Sequence, residues 1–123
     1  MLWLILAIVV IALVVLFYIF PIIQVCGDSM YPTYKDGDIV LGCRIFSIKR
    51  GGIYVYHPPA GEKYVIKRLT RIINFPNLLF FEGDNSEHSY DSRMYGCISN
   101  QDLVAKCIFT IHRRKECNDN GCK

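Results

Sequence analysis

No lysine or arginine precedes Lys35, and no charged side chain of either sign stands between Leu2 and Ile23. A cleaved secretory signal has a basic start, a shorter apolar run and a small-residue exit. This chain starts uncharged, and Ile23-Gln24-Val25 is not a small-residue exit, so a retained anchor is expected instead. Bulky Val25 before Cys26 argues in the same way against an acylated lipoprotein cysteine. There is no CxxC pair, and the histidines are not spaced with the cysteines, so neither zinc nor any other cofactor is expected. The basic residues are scattered and match no recognition motif, which removes nucleic acid from the expected partners. Repeats and low-complexity segments are also missing.

What is present divides the chain in two. Residues 1–23 form an apolar span broken only by Pro21 near its far end. At about 1.5 Å rise per residue it reaches roughly 33 Å, enough to cross a ~30 Å hydrocarbon core. A single transmembrane helix is expected, followed by one domain over residues 24–123. The segment is rich in Ile and Val, but its length favours helix over strand. All charges, netting +3, belong to the second part. The positive-inside rule alone would hold such a domain in the cytoplasm. Arg113-Arg114-Lys115 is either a contact for anionic lipid headgroups or a solvated terminal cluster.

Six cysteines permit disulfides if the domain is extracytoplasmic. Cys117 and Cys122 would close a small loop, whereas Cys43, Cys97 and Cys107 lie in or beside apolar runs where a free thiol packs well. Beyond the anchor, short apolar runs alternate with turn residues. Strands are expected at 39–41, 53–56, 64–66 extending to 73, 78–82 and 103–111. The turn His57-Pro58-Pro59-Ala60-Gly61 joins two of them as a hairpin. The fold expected is mainly β, a small coiled sheet or partial barrel on a helical stalk.

Ser29 and Lys67 carry the chemistry. A serine hydroxyl is a poor nucleophile until a base takes its proton. Each of His57, His88 and His112 has a plainer place, in a Pro-Pro turn, a polar loop and a basic cluster. Lys67 interrupts the apolar strand Tyr64-Val65-Ile66-Lys67-Arg68-Leu69. Burial there would favour the neutral amine and make a usable base near neutral pH. Spacing alone leaves the alternative open that Lys67 points to solvent on an alternating strand.

Three motifs in order weigh against that alternative. They are Gly27-Asp28-Ser29-Met30-Tyr31-Pro32-Thr33 with Asp36-Gly37-Asp38, then Lys67-Arg68, then Gly83-Asp84-Asn85 through Ser89, Asp91, Ser92 and Arg93 to Gly96. Together, behind an apolar anchor, they resemble the bacterial type I signal peptidases, in a minimal form. The resemblance implies Ser29 as nucleophile and Lys67 as general base. It also implies Ser89 as the hydroxyl that orients the lysine, Asp91 and Arg93 as a bracing pair, and Arg68 as a supporting residue. The backbone N–H of Ser29 would serve the oxyanion, with no side-chain hydroxyl from Gly27 to help it. Met30, Val65 and Ile66 would line the substrate site, where a strand-like peptide with small side chains at −1 and −3 binds.

Only Leu69 to Leu78 separate the lysine strand from the next, where larger members carry a second β-domain, and Gly52 stands where an Asp is frequent. A bare catalytic core is therefore implied. Its partners would be signal-peptide-bearing pre-proteins and the bilayer, with the enzyme a monomer. Its place would be the plasma membrane, single-pass, with the catalytic domain extracytoplasmic. The alternatives are a mitochondrial inner-membrane processing peptidase and a degenerate module that only binds signal sequences. Self-cleaving repressor-type Ser-Lys proteins share the first two motifs but are soluble and lack the third.

Overall fold

The computed structural model describes residues 1–59, 64–75 and 77–113. Helix α1 spans Leu2–Ile19, and none of its residues is buried. Its mean hydropathy is 3.2, so it is long and apolar enough to cross a membrane. It is shorter than the apolar span from which it was expected. Pro21 lacks the N–H that would continue the helix and restrains Phe20 before it. The chain then turns directly into β1, Ile22–Gln24, the first strand of the sheet.

The other strands are β2 (Ile39–Cys43), β3 (Ile53–Tyr56), β4 (Val65–Asn74), β5 (Leu78–Glu82) and β6 (Leu103–His112). They form one six-stranded sheet in the order β1-β2-β6-β3-β4-β5. Every neighbouring pair is antiparallel, and register shifts at several pairings coil the sheet into a half-barrel. The expected β3–β4 hairpin is present, with Tyr54 opposite Lys67 and Val55 opposite Ile66. A short helix α2, Ser92–Tyr95, packs against β5.

All four residues of β3 are buried. Ile53 and Val55 pack into one core with Val25, Met30, Tyr34, Val40 and Cys107. Tyr54 and Tyr56 pack into a second with Leu69, Leu79, Phe81 and Ile98. The alternation of a strand thus feeds two cores from one segment. Gly52 makes room for this arrangement, because a Cβ there would meet the Tyr54 ring at 2.9 Å. The Tyr54 hydroxyl donates to Ser47 O and accepts from Lys49 N–H, each at 2.9 Å, so a buried phenol is satisfied.

Cys107 is a buried free thiol that burial pushes up to about 12, inert at neutral pH. Cys43 and Cys97 are half-buried and free, and Cys26 is exposed. Cys117 and Cys122, spaced so that a bridge would close a small loop, lie outside the described residues, as do Arg114 and Lys115.

Helix α1 and the sheet are tied at their junction. Arg44 donates its backbone N–H to Ile19 O at 2.8 Å and its Nε to Tyr18 O at 2.7 Å, and its guanidinium lies over the Tyr18 ring. Arg44 thereby satisfies carbonyls at the end of α1 that lack helical partners. Gly42 N–H donates to Pro21 O at 2.8 Å, completing the turn into β1.

Candidate active site

The Ser29 loop is held from three sides. From below, Met30 is buried in the first core at 1% exposure. From its own chain, Asp36 Oδ1 accepts the Gly27 N–H at 2.8 Å, Val25 N–H donates to Asp38 O and Gly37 N–H to Val25 O. Gly27 and Gly37 both have positive φ, 83° and 89°, which their lack of a side chain permits. From the end of β5, Asn85 N–H donates to Ser29 O at 2.9 Å, and Asn85 Nδ2 donates to Asp28 O at 3.0 Å.

Lys67 stands on β4, 5% exposed, with its Nζ 2.7 Å from Ser29 Oγ. Its neighbour Arg68 forks onto Asp84, with both bonds at 2.8 Å, and its third donor meets Gly51 O. Asp84 also accepts the Thr33 hydroxyl. One carboxylate therefore joins the serine loop, the lysine strand and the end of β5. Burial raises the Asp84 pKa, but hydrogen bonds from Arg68 and Thr33 and the Arg68 charge outweigh it, leaving the group below its ordinary value.

Asp91 gathers the third motif. Fully buried, it accepts from Ser89 Oγ at 2.7 Å, Gly83 N–H at 2.8 Å, and the backbone and guanidinium N–H groups of Arg93. It is also the N-cap of α2. Ser92 Oγ accepts the Phe81 N–H at 3.0 Å, which fixes that helix to β5. Ser89, 6% exposed, spends its proton on Asp91, so its lone pairs remain as the acceptors it can offer. Gly83 lies between Ser89 and the serine loop: a Cβ there would sit 2.2 Å from Ser89 Oγ and 2.5 Å from Ser29 O.

Burial raises the Asp91 pKa as well, and the bonds from Arg93, Gly83 and Ser89 bring it below the ordinary carboxylate value of about 3.9. A depressed folded-state pKa contributes stability that is complete above the unfolded value and is lost as pH falls through the folded one. Asp91→Asn is therefore expected to be less stable than the parent at pH 6, by about 1–3 kcal/mol for the donors left unmatched. The gap should narrow below pH 4. Urea midpoints of both proteins across that range check it, and a gap that widens on acidification would refute it.

A cleft of about 710 Å³ opens at Ser29 and Lys67. It runs along Ile22–Val25 on one side and Tyr64–Ile66 on the other, and reaches Pro21 and Arg44 near the end of α1. Met30, Val65 and Ile66, expected at the substrate site, all line it; Met30 is buried, and the other two are half-buried. His57 stacks on Tyr64 with ring centroids 4.5 Å apart, His112 is exposed at the end of β6, and His88 is exposed at the cleft rim.

Thr33, Asp36, Gly83, Asp84 and Asn85 belong to the site although none of them is singled out as a site residue by sequence reading. The motifs contain all five. What they do not reveal is pairing across 51 residues, as between Thr33 and Asp84.

An apolar helix long enough to cross a membrane thus precedes a coiled sheet whose serine loop is set against a lysine strand. A family model described as signal peptidase, peptidase S26, matches residues 1–72, from α1 through the Ser29 loop to β4. The chain belongs to this family, and so is a serine peptidase with signal peptidase activity, acting on signal-peptide-bearing substrates. No curated protein matches it.

Proposed function

We propose that this chain is a membrane-anchored endopeptidase of the signal peptidase I type. It removes signal peptides from exported pre-proteins after small residues at −1 and −3, using Ser29 as nucleophile and Lys67 as general base. The observation that carries the reading is the 2.7 Å approach of Lys67 Nζ to Ser29 Oγ, with the amine nearly closed off from water. Taking an ammonium out of water favours its neutral form, which accepts the serine proton. The acylating step forms the Oγ–C ester and breaks the C–N bond, and the proton passes from Oγ through Nζ to the departing nitrogen. Water then reverses the sequence and releases the signal peptide as its carboxylate. The Ser29 N–H serves the oxyanion, where a fixed donor is worth roughly 3–4 kcal/mol.

Ser89 is a positioning residue in this reading, accepting from Lys67 while it donates to Asp91. Asp91, Arg93 and Arg68 brace it, and Met30, Val65 and Ile66 shape the shallow pockets. Residues 1–23 form the anchor and residues 24–123 the catalytic domain, a monomer on the outer face of the plasma membrane. Only Phe20 and Pro21 separate α1 from β1, so an anchor in the bilayer keeps the cleft at the membrane surface, where a cleavage site emerges beyond its own apolar segment.

Cleavage of a pre-protein by the detergent-solubilised chain tests the activity. For topology, protease added to sealed spheroplasts should degrade the domain while a cytoplasmic control survives. Full protection until lysis would count decisively against processing of exported proteins.

A further inference from the structure

Beside the cleft lies a second, shallower depression of about 520 Å³, lined by Asp28, Tyr31, Asn85 and His88. Asp28 and His88 line both, so the two hollows adjoin at these residues, the first of them next to Ser29 in the chain. They differ in chemistry: the cleft is walled largely by β1 and Tyr64–Ile66, while the second hollow is walled by polar side chains and one tyrosine. Among the described residues, Asp28 is the only carboxylate lining either hollow.

We infer that this polar depression receives the leaving side of the substrate, the first residues of the mature protein, and that the Asp28 carboxylate selects positive charge there. The inference rests on the peptidase reading above. A peptide whose small residues occupy the apolar cleft, with its scissile carbonyl at Ser29, has to continue past Asp28. The wall it meets is fixed relative to the nucleophile. Asp28 O accepts from Asn85 Nδ2 at 3.0 Å and from Tyr31 N–H at 3.1 Å, while Asn85 N–H holds Ser29 O at 2.9 Å.

Charge gives the depression its selectivity. When the C–N bond breaks, the nitrogen leaves with the proton from Lys67 as a neutral amine, and a further proton from water makes it an ammonium. A carboxylate one residue from the nucleophile attracts that cation and any lysine or arginine just after the cut, and repels acidic residues. Because Asp28 is exposed, solvent screens the effect to about three- to tenfold in rate.

The test uses the full chain in detergent and one pre-protein in three forms, with Lys, Gln or Glu second after the cut. The readout is the ratio of kcat/KM for Lys over Glu within each enzyme, which does not depend on overall activity. The parent should prefer Lys by about three- to tenfold, falling towards one as salt rises from about 0.05 to 0.5 M. Asp28→Asn should bring the ratio near one, and Asp28→Lys should invert it. Glu87→Gln, a nearby exposed carboxylate that lines neither hollow, should keep the parent's ratio. A parent ratio of one, a ratio indifferent to salt, or a preference surviving in Asp28→Asn would overturn the subsite while leaving the peptidase reading intact. Failure of the parent to cleave any of the three forms would overturn both.

Discussion

Ser29→Ala and Lys67→Met are each expected to lower kcat/KM for pre-protein cleavage by on the order of 10³-fold or more, with the fold retained. Alanine removes the nucleophile and leaves the loop pinned through its backbone carbonyl to Asn85. Methionine keeps an apolar stem in the buried lysine position but offers no base. The two groups are expected to act as one unit, so the double variant should be no slower than the worse single one. His57→Ala and His112→Ala should retain most activity, since these side chains sit on Tyr64 and at the exposed end of β6. His88→Ala is the sharper control, because His88 shares the cleft with the dyad. Parental activity should also rise with pH along its acidic limb, as a protonated amine cannot accept the serine proton. A dead His88→Ala beside an active Lys67→Met would sink the assignment.

Much of this site can be read in the sequence because its chemistry is local. Lys67 is conspicuous as a charge inside an apolar strand, and Ser29 stands among turn residues shortly after the apolar span. The mainly β, coiled architecture follows from short apolar runs between glycines and prolines, and the structure shows that sheet. Other features depend on contacts that no local pattern encodes. The strand β1 lies hidden in the apolar span, since Ile22 and Ile23 read equally well as membrane residues; only Pro21 marks the change. The four residues of β3 read as one apolar run, and their division between two cores appears only when β4 and β6 flank them. Asp84 reads as a turn residue after a strand. Its function as the acceptor for Arg68 depends on the β4–β5 register, which sets Arg68 opposite Glu82.

Gly83 shows the same limit most sharply and carries the second large effect. In sequence it is a strand-ending glycine, and its φ is not among the positive ones, so backbone freedom does not explain it. Space does. A Cβ at Gly83 would lie 2.2 Å from Ser89 Oγ, 2.6 Å from Ser89 Cβ and 2.5 Å from the backbone oxygen of Ser29. The Ser89 side chain has little room to yield, because its hydroxyl is held by buried Asp91. The Ser29 carbonyl is main chain and carries the nucleophile with it. Gly83→Ala should therefore displace Ser29 from Lys67, and a shift of about 1 Å is enough to cost roughly 10²-fold in rate. Overpacking at this buried position should also remove about 1–3 kcal/mol of stability. The double variant Gly83→Ala/Ser89→Gly tests the Ser89 contact through stability: relieving it should restore part of the loss, while activity stays low because the clash with the Ser29 carbonyl remains and the hydroxyl that positions Lys67 is gone. Thermal melts and kcat/KM on one pre-protein decide the matter, and a Gly83→Ala enzyme with parental values for both would show that the serine loop is not held against this glycine.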